Sequence, residues 1–361
     1  MAESPFQYQG PLDAGEVHGR DGLVSDLVER VNARRVTALL GPRRYGKTSL
    51  LREVAARCAE LATVWVDLYE VTSSADVAIR FDDALAGTAD PFASVAGRLA
   101  AAVSLNLGVV KVELSRPPRQ RPDPATNYAA LLEVLVGAAL RTPTLLVLDE
   151  FSSIVSVPGA AGALRTALQH HYRQLGILFA GSHPSMMRTL FSDRSQPFFG
   201  QADLVETPPL SPGAVASIVA DGFAATGKQS GTAGPAIASF TGGHPQRAMQ
   251  LADACWRATE PGETCDQARF GAALEEVRAS SEEPMERILA GFERGERAVL
   301  RAIAHGGNLY GTAADLLELS AGAAGHARQV LLDHGEVALK DGRPAIVDPL
   351  LADWLRRRLP I

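Results

Sequence analysis

Few residues here tie the chain to a special environment. Three cysteines, Cys58, Cys255 and Cys265, form an odd number at spacings that match no metal site. They therefore predict neither a disulfide framework nor a zinc module, but reduced thiols as in a cytoplasm. Lysine is nearly missing: Lys47, Lys111, Lys228 and Lys340 are the whole set among 35 basic residues. Beside the wealth of Ala, Gly and Pro, this reads as compositional bias and not as an arginine-based binding design. Positive charge is not in excess either. A net charge of −6 excludes a surface that is basic throughout, while leaving room for one basic face. Long hydrophobic runs are lacking too. The most apolar stretch, residues 99–110, is broken by Ser104 and Asn106 and falls short of the roughly 20 residues that cross a bilayer. Residues 1–11 have no basic end followed by an apolar run, so no targeting signal and no membrane partner are expected.

With 361 residues, 46% of them hydrophobic, the chain exceeds one compact core, and two or three domains are expected. Its organising stretch is residues 36–51, VTALLGPRRYGKTSLL. The apolar run with β-branched Val36 and Thr37 reads as a buried parallel strand that stops at Gly41. Gly41, Gly46, Lys47 and Thr48 fill every fixed position of G-x-x-x-x-G-K-[ST], and Ser49, Leu50 and Leu51 begin a helix. The glycines let the main chain approach an anion, so the loop through Pro42, Arg43, Arg44 and Tyr45 can turn amides toward phosphates. The helix that follows adds its positive end. Lys47 is expected on the β- and γ-phosphates, and the Thr48 hydroxyl on Mg²⁺.

A second half of the site lies at residues 144–150, TLLVLDE. Four apolar residues ending in two carboxylates predict a central strand with Asp149 at its tip, beside the phosphate loop and facing the metal. Strand alternation turns Glu150 elsewhere, free to act as general base on water. Residues 176–181, GILFAG, predict another buried strand ending at Ser182, which hydrogen-bonds the γ-phosphate or water, caps the next helix, or does both. The strand over 63–68 puts Asp67 at the same edge. Ahead of the loop, a helix over 20–31 either lies across the nucleotide base, with His18, Gly19 and Arg20 at its entrance, or merely caps the sheet.

Other segments are expected as follows: an extended lead-in over 6–19; helices over 74–85, 91–103 and 128–140; a strand over 107–114; a basic, proline-rich loop over 116–124; and a last sheet strand over 202–206. Arg188 and Arg194 are placed to reach a neighbouring subunit's nucleotide. TPPLSP at 207–212 marks a boundary, followed by helices over 214–223 and 235–240. The turn at 241–245, TGGHP, opens a helix through Trp256 whose start at Pro245 is expected on the base or ribose. His244 reads as a hydrogen-bonded turn residue, and Arg247 as either a phosphate sensor or a surface arginine. Helices over 294–305, 312–319 and 323–334, with a hairpin around Asp341-Gly342, describe a winged helix. Nine basic and eight acidic side chains in residues 294–361 leave DNA and protein contact equally open.

The strings GPRRYGKTSLL, VDLYEV, LLVLDEF, AGSHPSMM, FTGGHPQRAM and VDPLLADWL resemble, in order, the archaeal-type ATPases of the AAA+-like and STAND branch of P-loop NTPases, relatives of the replication-origin ATPases. The resemblance spans about residues 6–359. It implies an α/β P-loop NTPase core with a parallel sheet in the order 5-1-4-3-2, a helical lid and a C-terminal winged helix, divided at 1–207, 208–292 and 293–361. It also implies ATP and Mg²⁺ as ligands, with Lys47, Thr48, Asp149, Glu150 and Ser182 in the roles argued above. On this reading ATP hydrolysis switches lid and winged-helix contacts with a DNA or protein partner, with a nucleotide-dependent homo-oligomer as a further expectation. Gly200-Gln201 departs from the Gly-Arg found at that turn in the family, so no trans-acting arginine is expected there. The alternative is a nucleotide-loaded DNA- or protein-binding module with little hydrolysis.

Overall fold

The computed structural model of the chain describes residues 3–88, 124–306, 320–340 and 342–361, together with Phe92, Ser94, Ala96 and Gly97. The strand expected over 107–114, the helix expected over 312–319, Asp341 and nearly all of the segments at 91–103 and 116–124 lie outside the described residues.

Among the described residues, five strands form one parallel sheet: β1 (Thr37–Leu40), β2 (Ala62–Asp67), β3 (Thr144–Asp149), β4 (Leu175–Gly181) and β5 (Asp203–Glu206), in the order β5-β1-β4-β3-β2. This is the order implied by the resemblance. Alternation divides each central strand between two apolar layers. Leu146 and Leu148 of β3 face one layer, with Ile177 and Phe179 of β4, whereas Leu145, Val147 and Leu178 face the other. The helices α1 (Asp21–Asn32) and α2 (Lys47–Arg57) cover the second face through Leu27, Val31, Leu50 and Val54. The first is covered by α3 (Ser74–Gly87), α4 (Pro124–Ala139), α5 (Ala160–Leu168) and α6 (Pro184–Ser192). Because the strands are parallel, the residues just past β1, β3 and β4 emerge at one edge. Those residues are the 41–46 loop, Glu150 and Ser182.

Beneath that edge, Phe151, Phe179, Phe191 and Phe198 pack ring on ring, with centroids 4.5 Å apart for Phe151–Phe179 and 5.3 Å for Phe179–Phe198. All four rings are buried, which anchors the chain on either side of Glu150 and Ser182.

A second apolar core runs through α7 (Pro212–Ala225), α8 (Ala233–Thr241), α9 (Pro245–Arg257) and α10 (Gln267–Ala290). It continues into α11 (Arg294–Ala304), α12 (Ala321–Asp333), the hairpin β6 (Val337–Lys340) and β7 (Arg343–Ile346), and α13 (Pro349–Arg358). The helices expected over 294–305 and 323–334 and the paired strands of the expected hairpin are thus present. They share Phe270, Met285, Leu300, Leu350 and Trp354 with the helices before them. Arg278 binds Asp353 at 2.7 Å and the Trp354 indole donates to Glu282 at 2.9 Å, fastening α10 to α13. The lead-in joins this core as well, since Phe6 packs on Phe223. Sequence periodicity did not signal α5, the 3₁₀ turn at Phe151–Ser156, or the 24-residue length of α10, which carries Pro284 within it. Among the described residues no helix is long and apolar enough to cross a membrane.

Truncating Phe179→Ala removes the central ring of the phenylalanine cluster. It is expected to lower the unfolding free energy by about 3–5 kcal/mol in urea titrations. A loss below about 1 kcal/mol would show that the cluster does not anchor this edge.

Candidate nucleotide site

The loop after β1 has the conformation its glycines permit. Gly46 caps α2 at φ 78° and Arg44 also has positive φ, so the main chain turns back over the helix start. Gly41 is required for a different reason: a Cβ there would lie 2.9 Å from the Thr207 Cβ. Lys47 and Thr48 open α2, and no acidic residue occupies its first turn to compete for the positive helix end. The Lys47 ammonium is buried and donates to the carbonyls of Gly41 and Pro42, at 2.8 Å each. Burial pulls its pKa down to about 8, against the attraction of Glu150 and Asp149.

The two acids stand where the sequence placed them, though not for the reason alternation supplied. Asp149 ends β3, and its Oδ2 accepts the Thr48 hydroxyl at 2.9 Å. Desolvation lifts its pKa to about 6, while the bond from Thr48 opposes the rise. Glu150 is past the strand, in the left-handed region at φ 50°. That turn, and not strand alternation, aims its carboxylate at β4. There its Oε2 accepts from the Ser182 amide at 3.1 Å and the Ser182 hydroxyl at 2.7 Å. The helix-cap reading of Ser182 is therefore overturned: His183 occupies the cap position of α6, and the serine hydroxyl is spent on Glu150. Asp67 lies opposite Asp149 in the sheet register and takes the Tyr69 amide at 2.9 Å.

Two connected cavities flank the loop. The smaller, about 350 Å³, is walled by Arg44, Gly46, Lys47, Thr48, Ser49, Glu150 and Pro245. The larger, about 830 Å³, lies beyond Tyr45 and Ser49 and includes His18, Arg20, Leu210 and Pro245. Of the expected ligand residues, Gly19, Gly41, Pro42 and Arg43 line neither; Gly19 packs against Ala214 and Leu210 at the foot of α7. Arg43 is exposed and Pro42 holds Lys47 by its carbonyl. One wall went unforeseen. Residues 7–12 thread between α2 and α9, with the Leu12 amide on Ser49 at 3.0 Å and the Gln246 amide on the Tyr8 carbonyl at 3.3 Å. Nothing in the lead-in beyond the Gly10-Pro11 turn signals this, because its bonds are main-chain bonds to distant residues.

Arg247 is the main departure from expectation. Its guanidinium is buried against Asp348, with Nε at 3.0 Å from Oδ1 and Nη2 at 2.5 Å from Oδ2, and is not among the residues lining either cavity. Arg188 is likewise paired, with Glu206, while Arg194 is exposed. His244 is the turn residue expected: it caps α9 by accepting the Arg247 amide at 3.3 Å, and burial pushes its pKa down to about 4. Its ring also meets Tyr45 of the loop edge-on, with centroids 5.0 Å apart.

The donor set suits Mg²⁺. Two hard oxygens, from Thr48 and Asp149, sit in contact beside a phosphate-sized loop, and Mg²⁺ commonly completes its shell with substrate phosphates and water. Among the described residues no group of three His, Cys, Asp or Glu forms an all-protein metal cage.

Solved structures with this fold match over nearly the whole chain. The Walker-type ATPase of Pyrococcus abyssi is 18% identical with a TM-score of 0.74, covering 98% of this chain and 99% of that one. The Aeropyrum pernix ORC2 protein, solved as ADPNP-ADP complexes, is 17% identical with a TM-score of 0.59, covering 97% and 95%. The Aeropyrum pernix ORC1 protein in complex with DNA is 14% identical with a TM-score of 0.50, covering 95% and 93%. No protein-family model and no curated protein matches the chain. At these identities the likeness is one of fold: an archaeal P-loop ATPase fold shared with the ORC proteins, as the sequence resemblance implied.

The two shifted groups set a pH window. Phosphate binding through Lys47 would use its ammonium, whose pKa of about 8 leaves it charged below that pH and neutral above it. ATP affinity is therefore expected to fall as pH rises through about 8, by up to about tenfold per pH unit, with proton uptake on binding. Metal binding needs the Asp149 carboxylate, so Mg²⁺ dependence should weaken as pH falls through about 6. Calorimetry in two buffers of different ionisation heat reads both effects, and a flat affinity profile across pH 8 contradicts the first.

Proposed function

We propose that the chain binds ATP with Mg²⁺ at this site and hydrolyses it, and that the nucleotide state sets how the lid (208–292) and the winged-helix unit (293–361) meet a partner. The carrying observation is that Lys47, the Thr48–Asp149 pair and the Glu150–Ser182 pair converge on one sheet edge. The smaller cavity would take the phosphates and the larger the ribose and base. Lys47 exchanges its two carbonyls for phosphate oxygens. Mg²⁺, held by Thr48 and Asp149, supplies positive charge at those oxygens when bound. Glu150 accepts the proton of the attacking water, and Ser182 fixes the Glu150 carboxylate through Oε2. A fixed acceptor spares the transition state the work of orienting it.

Two routes connect this chemistry to the C-terminal unit. In the first, Tyr45 of the loop packs on His244, His244 takes the Arg247 amide, and Arg247 holds Asp348. The second leaves Ser182 along the chain to Ser185, whose hydroxyl donates to the Asp333 carbonyl at 3.2 Å, at the end of α12. A shift at the γ-phosphate would thus reach both ends of the same unit. The partner contacted through it is DNA or protein, and Arg194 leaves a face open for a nucleotide-dependent homo-oligomer.

Turnover and binding together test this. Glu150→Gln is expected to keep ATP-dependent thermal stabilisation and lose about 10²- to 10⁴-fold in phosphate release. Lys47→Ala should lose the stabilisation. If Glu150→Gln turns over as fast as the wild type, hydrolysis is not at this site, and a loaded binding module becomes the better reading. Partner binding across a salt series separates DNA from protein, because only phosphate contacts give a steep loss of affinity with ionic strength.

A further inference from the structure

We infer that residues 6–12 form a strap that keeps the nucleotide in its pocket, and that Phe6 is the positioning residue that fastens this strap to the lid. The inference rests on the nucleotide reading above and adds to it the step by which the ligand is retained and released. Both cavities share this wall: Gln7, Tyr8 and Leu12 line each of them, Gln9 the larger, and Gly10 and Pro11 the smaller. A ligand filling the two lies along the whole strap.

The two ends of the strap are held by different bodies and by different physics. At residue 12 the hold is polar and belongs to the sheet domain. The Leu12 amide donates to the Ser49 hydroxyl at 3.0 Å, and just beyond it the Gly15 amide donates to the Glu53 carboxylate at 2.6 Å, both on α2. At residue 6 the hold is apolar and belongs to the lid. The Phe6 ring is 3% exposed and packs on Phe223 of α7, with centroids 5.9 Å apart. Its edge rests on the bare Cα of Gly222, where a Cβ would lie 2.5 Å from the ring's Cζ and 2.6 Å from its Cε1. Glycine weakens a helix interior relative to alanine, and in α7 its missing side chain makes the socket for this ring.

Between these ends the strap is lightly held. Phe6 is the one buried residue among 3–19, and residues 7 and 9–11 are exposed and belong to no helix or strand. The Gln246 side-chain amide steadies the Tyr8 carbonyl at 3.3 Å. The facing walls are firmer, since Ser49, Leu50, Pro245 and Met249 stand on α2 and α9, whose apolar sides are buried in the two cores. A segment with few buried contacts opens before one with many, so the strap is the part of the enclosure that yields first. Seating or releasing Phe6 decides whether it yields.

This division of anchors makes the strap answer to the lid. Because α7 carries the socket for Phe6, a change in lid position relative to α2 moves one end of the strap and not the other. The fixed end is Ser49, next in the chain to Thr48. The chemical step uses Lys47, Asp149 and Glu150, whose hydrogen bonds lie within the sheet edge. Loss of the ring therefore changes the rate of nucleotide release and leaves the chemical step as it was.

The test follows release of radiolabelled MgATP from the full chain after a chase with excess unlabelled ATP, beside single-turnover hydrolysis of the ATP already bound. Phe6→Ala is expected to release nucleotide about 10- to 100-fold faster than the wild type, because affinity changes fall mainly on the off-rate, while bound ATP is hydrolysed at the wild-type rate. Gly222→Ala should do the same with the strap sequence intact, since its methyl group evicts the ring. Phe6→Leu should recover most of the retention. Phe270→Ala, which truncates another ring of the same core, should release at the wild-type rate. The proposal is overturned if the folded eviction variants retain nucleotide like the wild type, if hydrolysis of bound ATP falls in step with retention, or if Phe270→Ala accelerates release as much as they do. Either eviction variant suffices, so one that fails to fold does not blunt the test. A wild-type chain that retains no label contradicts the nucleotide reading itself, a result distinct from failure of the strap alone.

Discussion

One constraint governs this molecule: a cation and two carboxylates are gathered, largely out of water, at a single edge of a parallel sheet. Desolvation works against the charges of Lys47 and Asp149, and their opposite shifts, toward 8 and toward 6, record that pressure. The charges persist because each has a fixed partner: two loop carbonyls for the ammonium, the Thr48 hydroxyl for Asp149, and both donors of Ser182 for Glu150. Sheet order supplies the proximity, since β1 lies beside β4 and β4 beside β3. The phenylalanines below hold the strand ends in place, so the polar edge rests on a rigid apolar floor. A negatively charged ligand with its own metal would relieve this arrangement by replacing internal partners with external ones.

The helices α7 to α10 and the elements after residue 293 share one apolar cluster with each other, and they meet the sheet domain through Tyr45–His244 and Ser185–Asp333. The buried Arg247–Asp348 pair is an expensive contact to lose from one side, because removing either partner would strand the other charge. It therefore works as a joint with a defined geometry, held at one end by the His244 cap and at the other by the first turn of α13.

Much of this could be read from the letters. The loop motif, the strand carrying Asp149, the sheet order and several of the helices follow from local chemistry and from the family likeness. The failures share a physical origin. Glu150 was aimed correctly for the wrong reason, because its left-handed backbone depends on what β4 offers it and not on its neighbours in sequence. Ser182 reads in the sequence as a donor to the γ-phosphate or water and as a helix cap, whereas its partner in the fold, Glu150, is 32 residues away. Arg247 could be placed on its helix but not paired, since Asp348 lies 101 residues further on. The wall formed by residues 7–12 is held through its own main chain by the Ser49 hydroxyl and the Gln246 side-chain amide, which leaves no trace in the wall's side-chain identity.

The most direct measurement is a crystal structure of the full chain with a non-hydrolysable ATP analogue and Mg²⁺. The account expects the phosphates over the main chain of residues 43–48, the metal between Thr48 and Asp149, and the base in the larger cavity beside His18 and Pro245. Density for the analogue anywhere else, or a metal that Asp149 does not approach, would contradict it.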